Sequence, residues 1–277
     1  MSTEHQLTNE RHIELRRLAI ELRRLVVQSV HHAGAGHLGG PMSSAEILTA
    51  LYFEILNIHT DEPQHPDRDR FVMSKGHSSI GLYAVLALRG YFPIQELRTF
   101  DEINSRLQGH PDMSVLDALD MSTGSLGQGL SPGVGMALAA RLNGRNYHTW
   151  VLIGDGDSQE GQIWEAAMSA AKFKTNNLIA IIDFNKVAQD NITKDLKDIE
   201  PIEAKWESFG WDVQRIDGHN MQEIIEVLEK PSHPEKPRVI IADTIKGKGV
   251  SFMEGKTAWH GVAPSKEDYE KALKELE

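Results

Sequence analysis

Cysteine is absent from all 277 positions. That removes disulfides, thiolate metal sites and cysteine nucleophiles, and it fits a reducing compartment. No apolar stretch is long enough to cross a membrane as a helix, so no membrane partner is expected. Basic charge is in the minority. Lys and Arg number 29 against 40 Asp and Glu, and the net charge of −11 argues against a nucleic-acid surface. Repeats, low-complexity tracts and a Pro/Ser-rich linker are also lacking, and a chain of this length buries about three-quarters of its unfolded surface. The expectation is one domain over residues 1–277. The N-terminus carries Glu4, Glu10 and Glu14, too acidic for a secretion or transit signal, so a cytoplasmic location is expected. The sequon Asn191-Ile192-Thr193 then carries no glycan.

Familiar phosphate and metal motifs are missing too. No G-x-x-x-x-G-K-[ST] occurs, and a dinucleotide fingerprint would need its third glycine two places before Gly161. A calcium loop counted from Asp155 would need glycine where Glu160 stands. A histidine zinc site is discounted because carboxylate partners for it are absent.

What is present is a crossover unit. Trp150-Val151-Leu152-Ile153 reads as a buried strand that ends in Gly154-Asp155-Gly156. A helix from Glu160 to about Phe173 follows, then a second apolar run from Leu178 to Ile182 ending in Asp183-Phe184-Asn185. Strands joined this way lie parallel and adjacent. Asp155 and Asn185 then meet at the carboxyl ends of neighbouring strands, where open α/β sheets bind ligands. A carboxylate, an amide oxygen and the nearby Val187 carbonyl suit a six-coordinate magnesium that keeps positions for water and phosphate oxygens. Gly156 lets backbone approach the phosphates, and the helix start near Ser158 and Gln159 offers N–H groups to an anion.

Periodicity places a helix over residues 11–30, with Leu15, Leu18, Leu22 and Leu25 on one face and Arg16, Arg17, Arg23 and Arg24 on a solvated one. A second helix is expected over Ser44–Asn57, a strand over Arg70–Met73, and a helix from Ser74-Lys75-Gly76-His77 to Arg89. A glycine-rich loop, Ser122 to Gly129, leads into a helix over Leu130–Leu142. Strands at Asp212–Ile216 and Val239–Thr244 flank a helix at Met221–Leu228. The alternation predicts an α/β layer structure with a mainly parallel sheet flanked by helices. His37, His77, His110, Gly124, Asp155, Asn185, Lys246 and His260 all fall in loops of the kind that share one sheet edge. Several histidines there could move protons near neutral pH. Each also has a plain reading as a surface or capping residue, as do Lys75, Glu160, Gln189 and Lys246.

These segments together resemble transketolase, specifically its N-terminal thiamine-diphosphate-binding domain. The motifs are Gly36-His37-Leu38-Gly39, Asp69 to His77, Gln108-Gly109-His110-Pro111-Asp112, Thr123 to Gly129, Gly154-Asp155-Gly156 with Glu160-Gly161, Asp183-Phe184-Asn185, Asp217-Gly218-His219-Asn220 and Trp259-His260-Gly261. They span almost the whole chain in the family's order.

The resemblance implies thiamine diphosphate and magnesium, or another divalent cation such as Ca2+ or Mn2+. It implies transfer of a two-carbon ketol unit from a ketose phosphate to an aldose phosphate. By resemblance Asp155, Asn185 and the Val187 carbonyl hold the metal. Lys75, His77, Gly124, Leu126, Gly156, Gln189, Lys246 and His260 contact the cofactor. His37 and His260 matter for catalysis, with His110 near the donor's hydroxyl. Glu160 resembles the carboxylate that links two active sites across a two-fold interface. The pyrimidine-binding domain of the family has no counterpart before the chain ends at Glu277, after a helix at about Ser265–Leu276. The expectation is a split transketolase, active as a heterotetramer with a separate C-terminal subunit. Two departures, Ala35-Gly36-His37-Leu38 and Lys186 to Asp190, leave open a sulfonated or branched sugar. Another thiamine enzyme, such as a deoxyxylulose-phosphate synthase or the alpha chain of a 2-oxoacid dehydrogenase, and a non-catalytic homologue are the alternatives.

Overall fold

Strand alternation builds the molecule. In β2 (Thr149–Gly154) and β3 (Leu178–Phe184) every residue is buried, as expected of a parallel sheet covered on both faces. The computed structural model describes residues 8–277; Glu4 of the acidic N-terminus lies outside them. β1 (Arg70–Met73), β4 (Asp212–Asp217) and β5 (Arg238–Asp243) complete a five-stranded sheet in the order β1-β2-β3-β5-β4, with every pairing parallel. Thr149 pairs with Leu178 and Gly154 with Asp183, so β2 and β3 are the adjacent parallel pair that the crossover predicted.

Alternate strand residues feed two cores. Leu152, Ile181 and Ile240 face α1 (Asn9–Ala33), α3 (Ala45–Ala50), α4 (Ser79–Arg89), α9 (Met221–Glu229) and α10 (Lys266–Glu275). Val151, Ile182 and Ile241 face α5 (Leu130–Leu142), α6 (Gly161–Lys172) and α8 (Ile202–Ser208). Two short helices, α2 (Gly39–Ser43) and α7 (Thr193–Lys197), lie beside the carboxyl ends of the strands.

The first helix begins where Thr8 accepts a hydrogen bond from the Arg11 amide and stops at Gly34, whose φ of 67° is the left-handed cap. Leu15 and Leu22 are fully buried along its inner face, each contributing roughly 1.5–3 kcal/mol. The solvated-face expectation fails at Arg23. Its guanidinium is buried and grips Glu46 through both terminal nitrogens, because a long side chain can carry its charge inward when a carboxylate waits there. The expected helix over Ser44–Asn57 is also corrected. Helical chain starts earlier, at Gly39, and the regular α-helix ends at Ala50, followed by a wide turn over Leu51–Ile55. α7 and α8 had no counterpart in the sequence reading. They are short, and α8 is held by buried Ile202 and Trp206 rather than by a long amphipathic pattern.

Candidate active site

A cavity of about 400 Å³ opens at the carboxyl ends of β1, β2, β3 and β5. Its lining includes His37, Lys75, His77, His110, Gly124, Leu126, Asp155, Gly156, Asn185, Val187, Gln189, Lys246 and His260. Every residue to which the resemblance gave a role is there except Glu160. That residue is exposed, stands at the N-cap position of α6 without a side-chain capping bond, and packs against Gly127 outside the cavity.

Three rings form a triangle. His37, His77 and His260 have centroids 5.2 Å apart on each side. Lys246 Nζ donates to His260 Nδ1 at 2.6 Å and to the carbonyls of Val187 and Ala188 at 2.9 and 3.0 Å. All three ammonium protons are thereby used. With Nδ1 accepting, the proton of neutral His260 sits on Nε2. Burial and the Lys246 charge push its pKa down to about 3. Burial and neighbouring positive groups also lower His37 and His77. The trio is therefore neutral at pH 7 and can accept protons. Burial lowers Lys246 to about 8, although Asp155 and Asp183 pull the other way.

Below the rings lies a buried ionic knot that sequence reasoning missed. Asp183 is fully buried within β3 and takes Lys75 Nζ at 2.5 Å and the Ser43 hydroxyl at 2.6 Å. Its other oxygen accepts the Thr244 hydroxyl. Burial alone would raise Asp183, but Lys75 and these hydrogen bonds outweigh it and hold the carboxyl below its usual range. Lys75 is thus a buried ion-pair partner that also lines the cavity. Asp183 further accepts from Asn185 Nδ2 at 3.2 Å, which leaves Asn185 Oδ1 turned toward the Val187 amide at 3.1 Å. An acid inside the run Leu178 to Phe184 was the available signal.

Asp157 and Thr193 were missed as well. Asp157 accepts from Gly127, Gly154 and Ser74, tying the glycine-rich loop to two strand ends. Thr193, the last residue of the sequon, donates to Asp155 Oδ2 at 2.7 Å. No local pattern marks Thr193, because α7 brings it across from a later loop. Two glycines permit the close packing. A Cβ at Gly76 would lie 2.7 Å from the backbone of Thr123 and Gly124, and one at Gly39 would lie 2.6 Å from Lys246 Cγ.

The donor set fits a hard cation. Asp155 is buried, and burial raises its pKa, with the Thr193 hydroxyl and Gly156 amide opposing. Its oxygens have only those two neutral donors as hydrogen-bond partners among the described residues. A carboxylate so placed gains from a cation. Asn185 and Val187 line the same cavity, with Asn185 Oδ1 accepting the Val187 amide and the Val187 carbonyl accepting Lys246 Nζ, and oxygen donors are what magnesium prefers. Gly156 has nothing nearer to a would-be Cβ than Leu126 Cδ1 at 3.6 Å, so backbone there is open to a phosphate.

Comparison with known proteins agrees with this architecture. The family model described as "Transketolase, thiamine diphosphate binding domain" matches residues 15–276. The 6-deoxy-6-sulfo-D-fructose transketolase subunit SqwG of a Clostridium species is 46% identical over 97% of this chain and 98% of its own length. An apulose-4-phosphate transketolase subunit from Phocaeicola vulgatus is 43% identical over 92% of this chain and 90% of its own. The crystal structure of Campylobacter jejuni transketolase superposes with a TM-score of 0.89 at 34% identity, covering 95% of this chain but 42% of that one. The chain therefore spans less than half of that transketolase while matching the two subunits nearly end to end. It belongs to the transketolase family, whose enzymes transfer ketol groups, and corresponds to the family's thiamine-diphosphate-binding domain.

Proposed function

We propose that this chain is one diphosphate-binding domain and the N-terminal subunit of a split transketolase, working with a separate chain that supplies the pyrimidine-binding domain, as a heterotetramer. The observation that carries this reading is the convergence of His37, His77, His260, Lys246, Asp155 and Asn185 around one cavity. Thiamine diphosphate would lie there. When bound, it supplies the electron sink for cleaving the carbon–carbon bond of a ketose.

The chain's own residues have the remaining tasks. Asp155, Asn185 and the Val187 carbonyl would hold magnesium, or another divalent ion, against the diphosphate. Gly156, Gly124 and Leu126 would leave room for the cofactor's phosphates and rings. Neutral His260 presents its Nε2 proton to the cavity as a donor, backed by Lys246. His37 and His77, also neutral, are the bases at hand for a substrate hydroxyl proton, and His110 would contact the donor. Lys75 acts by orienting Asp183, which in turn fixes the amide of Asn185. Glu160, outside the cavity, would act only across an interface between copies, so its role requires self-association.

The substrate proposed is a ketose bearing an anionic terminus, of the sulfonated or branched kind for which the two similar subunits are named. The cysteine-free composition suits a reducing cytoplasm. Calorimetry of thiamine diphosphate with magnesium, with and without a co-expressed pyrimidine-domain chain, tests the reading. Binding that needs both metal and partner is the expected result, followed by turnover of a ketose donor. Turnover by this chain alone, or binding indifferent to metal, would overturn it.

A further inference from the structure

We propose that His219 is a positioning residue of the cavity: anchored by the Arg23–Glu46 ion pair, it pins the backbone at Ile245 and so aims Lys246. The inference rests on the proposed function in one respect, that Lys246 helps to receive the cofactor.

His219 lies in the turn Asp217-Gly218-His219-Asn220 between β4 and α9, a motif to which the sequence reading gave no role. Its Nδ1 stands 3.1 Å from Glu46 Oε2, and its Nε2 accepts the Ile245 amide at 2.9 Å. An imidazole nitrogen that accepts an N–H carries no proton, so the proton is on Nδ1 and points at the carboxylate. Glu46 is ionised to receive it. Burial would raise its pKa, but the His219 hydrogen bond and the Arg23 charge outweigh that and bring it to about 2. Arg23 closes the chain with bonds of 2.7 and 2.5 Å to Glu46 and one of 3.0 Å to the Met42 carbonyl. The tautomer of His219 is thus dictated from the buried helical layer.

The consequence reaches the cavity through one residue. Ile245 directly precedes Lys246, whose backbone carbonyl accepts from Gly255 at 2.9 Å while Gly247 donates to Gly39 at 3.1 Å. The turn is pressed against the same loop on its other side, since a Cβ on Gly218 would lie 2.5 Å from Thr244 Cγ2. Lys246 has to satisfy three acceptors at once from a stem lying on Gly39. A loosened backbone one residue upstream would break that convergence. The fixed imidazole acts as an outer partner acts on a ligating side chain, by removing alternatives.

Two substitutions separate pinning from packing. His219→Asn keeps a donor near the Nδ1 position and loses the acceptor at Nε2. His219→Gln places a carbonyl oxygen near Nε2. In the ligand-free chain, His219→Asn should speed amide exchange at residues 244–249 at least about tenfold while β2 and β3 keep their protection. It should weaken magnesium-dependent thiamine diphosphate binding by about tenfold, the scale of a lost outer partner. His219→Gln should restore both to within about threefold. Unchanged exchange at 244–249 in His219→Asn, or identical behaviour of the two variants, overturns the proposal. So does an imidazole ¹⁵N spectrum of the unmodified protein with the proton on Nε2, a measurement that stands even if a variant does not fold. Should the unmodified protein bind no thiamine diphosphate with metal and partner present, the functional reading fails, while the exchange and tautomer results still decide what His219 does.

Discussion

Two clefts lie at opposite ends of the same sheet, and the larger one has the less reactive lining. The cleft at the amino ends has a volume of about 540 Å³ and is lined by Glu54, Asp69, His148, Trp150 and Arg238. Apart from Glu229 and Lys230, which are exposed at its rim, its charges are already engaged. Asp69 takes the amides of Asn57 and His148, Glu54 pairs with Arg11, and Arg238 donates to Asp212 and to three carbonyls. The Trp150 indole N–H is its one buried donor without a partner among the described residues. The carboxyl-end cavity is smaller, yet it gathers three neutral imidazoles, a lysine and a carboxylate held only by neutral donors. A site is recognised by convergent groups with capacity left over, and volume alone does not supply that.

The contrast can be broken by substitution. The largest effect belongs to Asp183→Ala, which strips the buried Lys75 of its partner. Urea unfolding should show a loss of about 3–5 kcal/mol. At the other end, Asp212→Ala removes a half-exposed partner from an Arg238 that keeps its carbonyl contacts, and about 0–1 kcal/mol should be lost. Equal losses would erase the contrast between the two ends. Next comes Asp155→Ala. It should weaken magnesium-dependent thiamine diphosphate binding about 100-fold or more, near 3 kcal/mol, as read by calorimetry with the partner chain present. Retained affinity would refute the metal assignment.

Acid sharpens the comparison more gently. The pKa of His260 is about 3 in the folded chain against 6.5 for the free residue, and those of His37 and His77 are also lowered. Between those values the unfolded chain binds more protons than the folded one, so stability is full above about pH 6.5 and falls as the pH drops below it. The melting temperature should decline over that window, and His260→Asn should flatten the decline. NMR of His260 should show a neutral ring from pH 8 down to pH 5; protonation above pH 5 would contradict the burial argument. The smallest effect is reserved for His148→Ala in the larger cleft, which should change cofactor affinity by less than about twofold.

Much of this was legible in one dimension. Strands such as Arg70–Met73 and the helix Leu130–Leu142 were found at their observed bounds, because short, largely buried apolar runs and helices opening at Gly-rich loops leave local signatures. The glycine-acid turns and loop histidines marked a shared edge by their positions between strands and helices. Arg23 was misread because burial of a charge depends on a partner 23 positions away, Glu46, which no window contains. Asp183 was seen as part of a motif, but not as the acceptor that orients Asn185.

Sequence alone determined the order of the strands and of the longer helices, the parallel neighbours β2 and β3, and the family to which the motifs belong, since each rests on short-range pattern or on motif spacing. Tertiary structure alone decided which groups are neutral, which are paired and which point into the cavity. Protonation and orientation depend on desolvation and on partners such as Thr193, Lys246 and His219, which the fold delivers from distant segments.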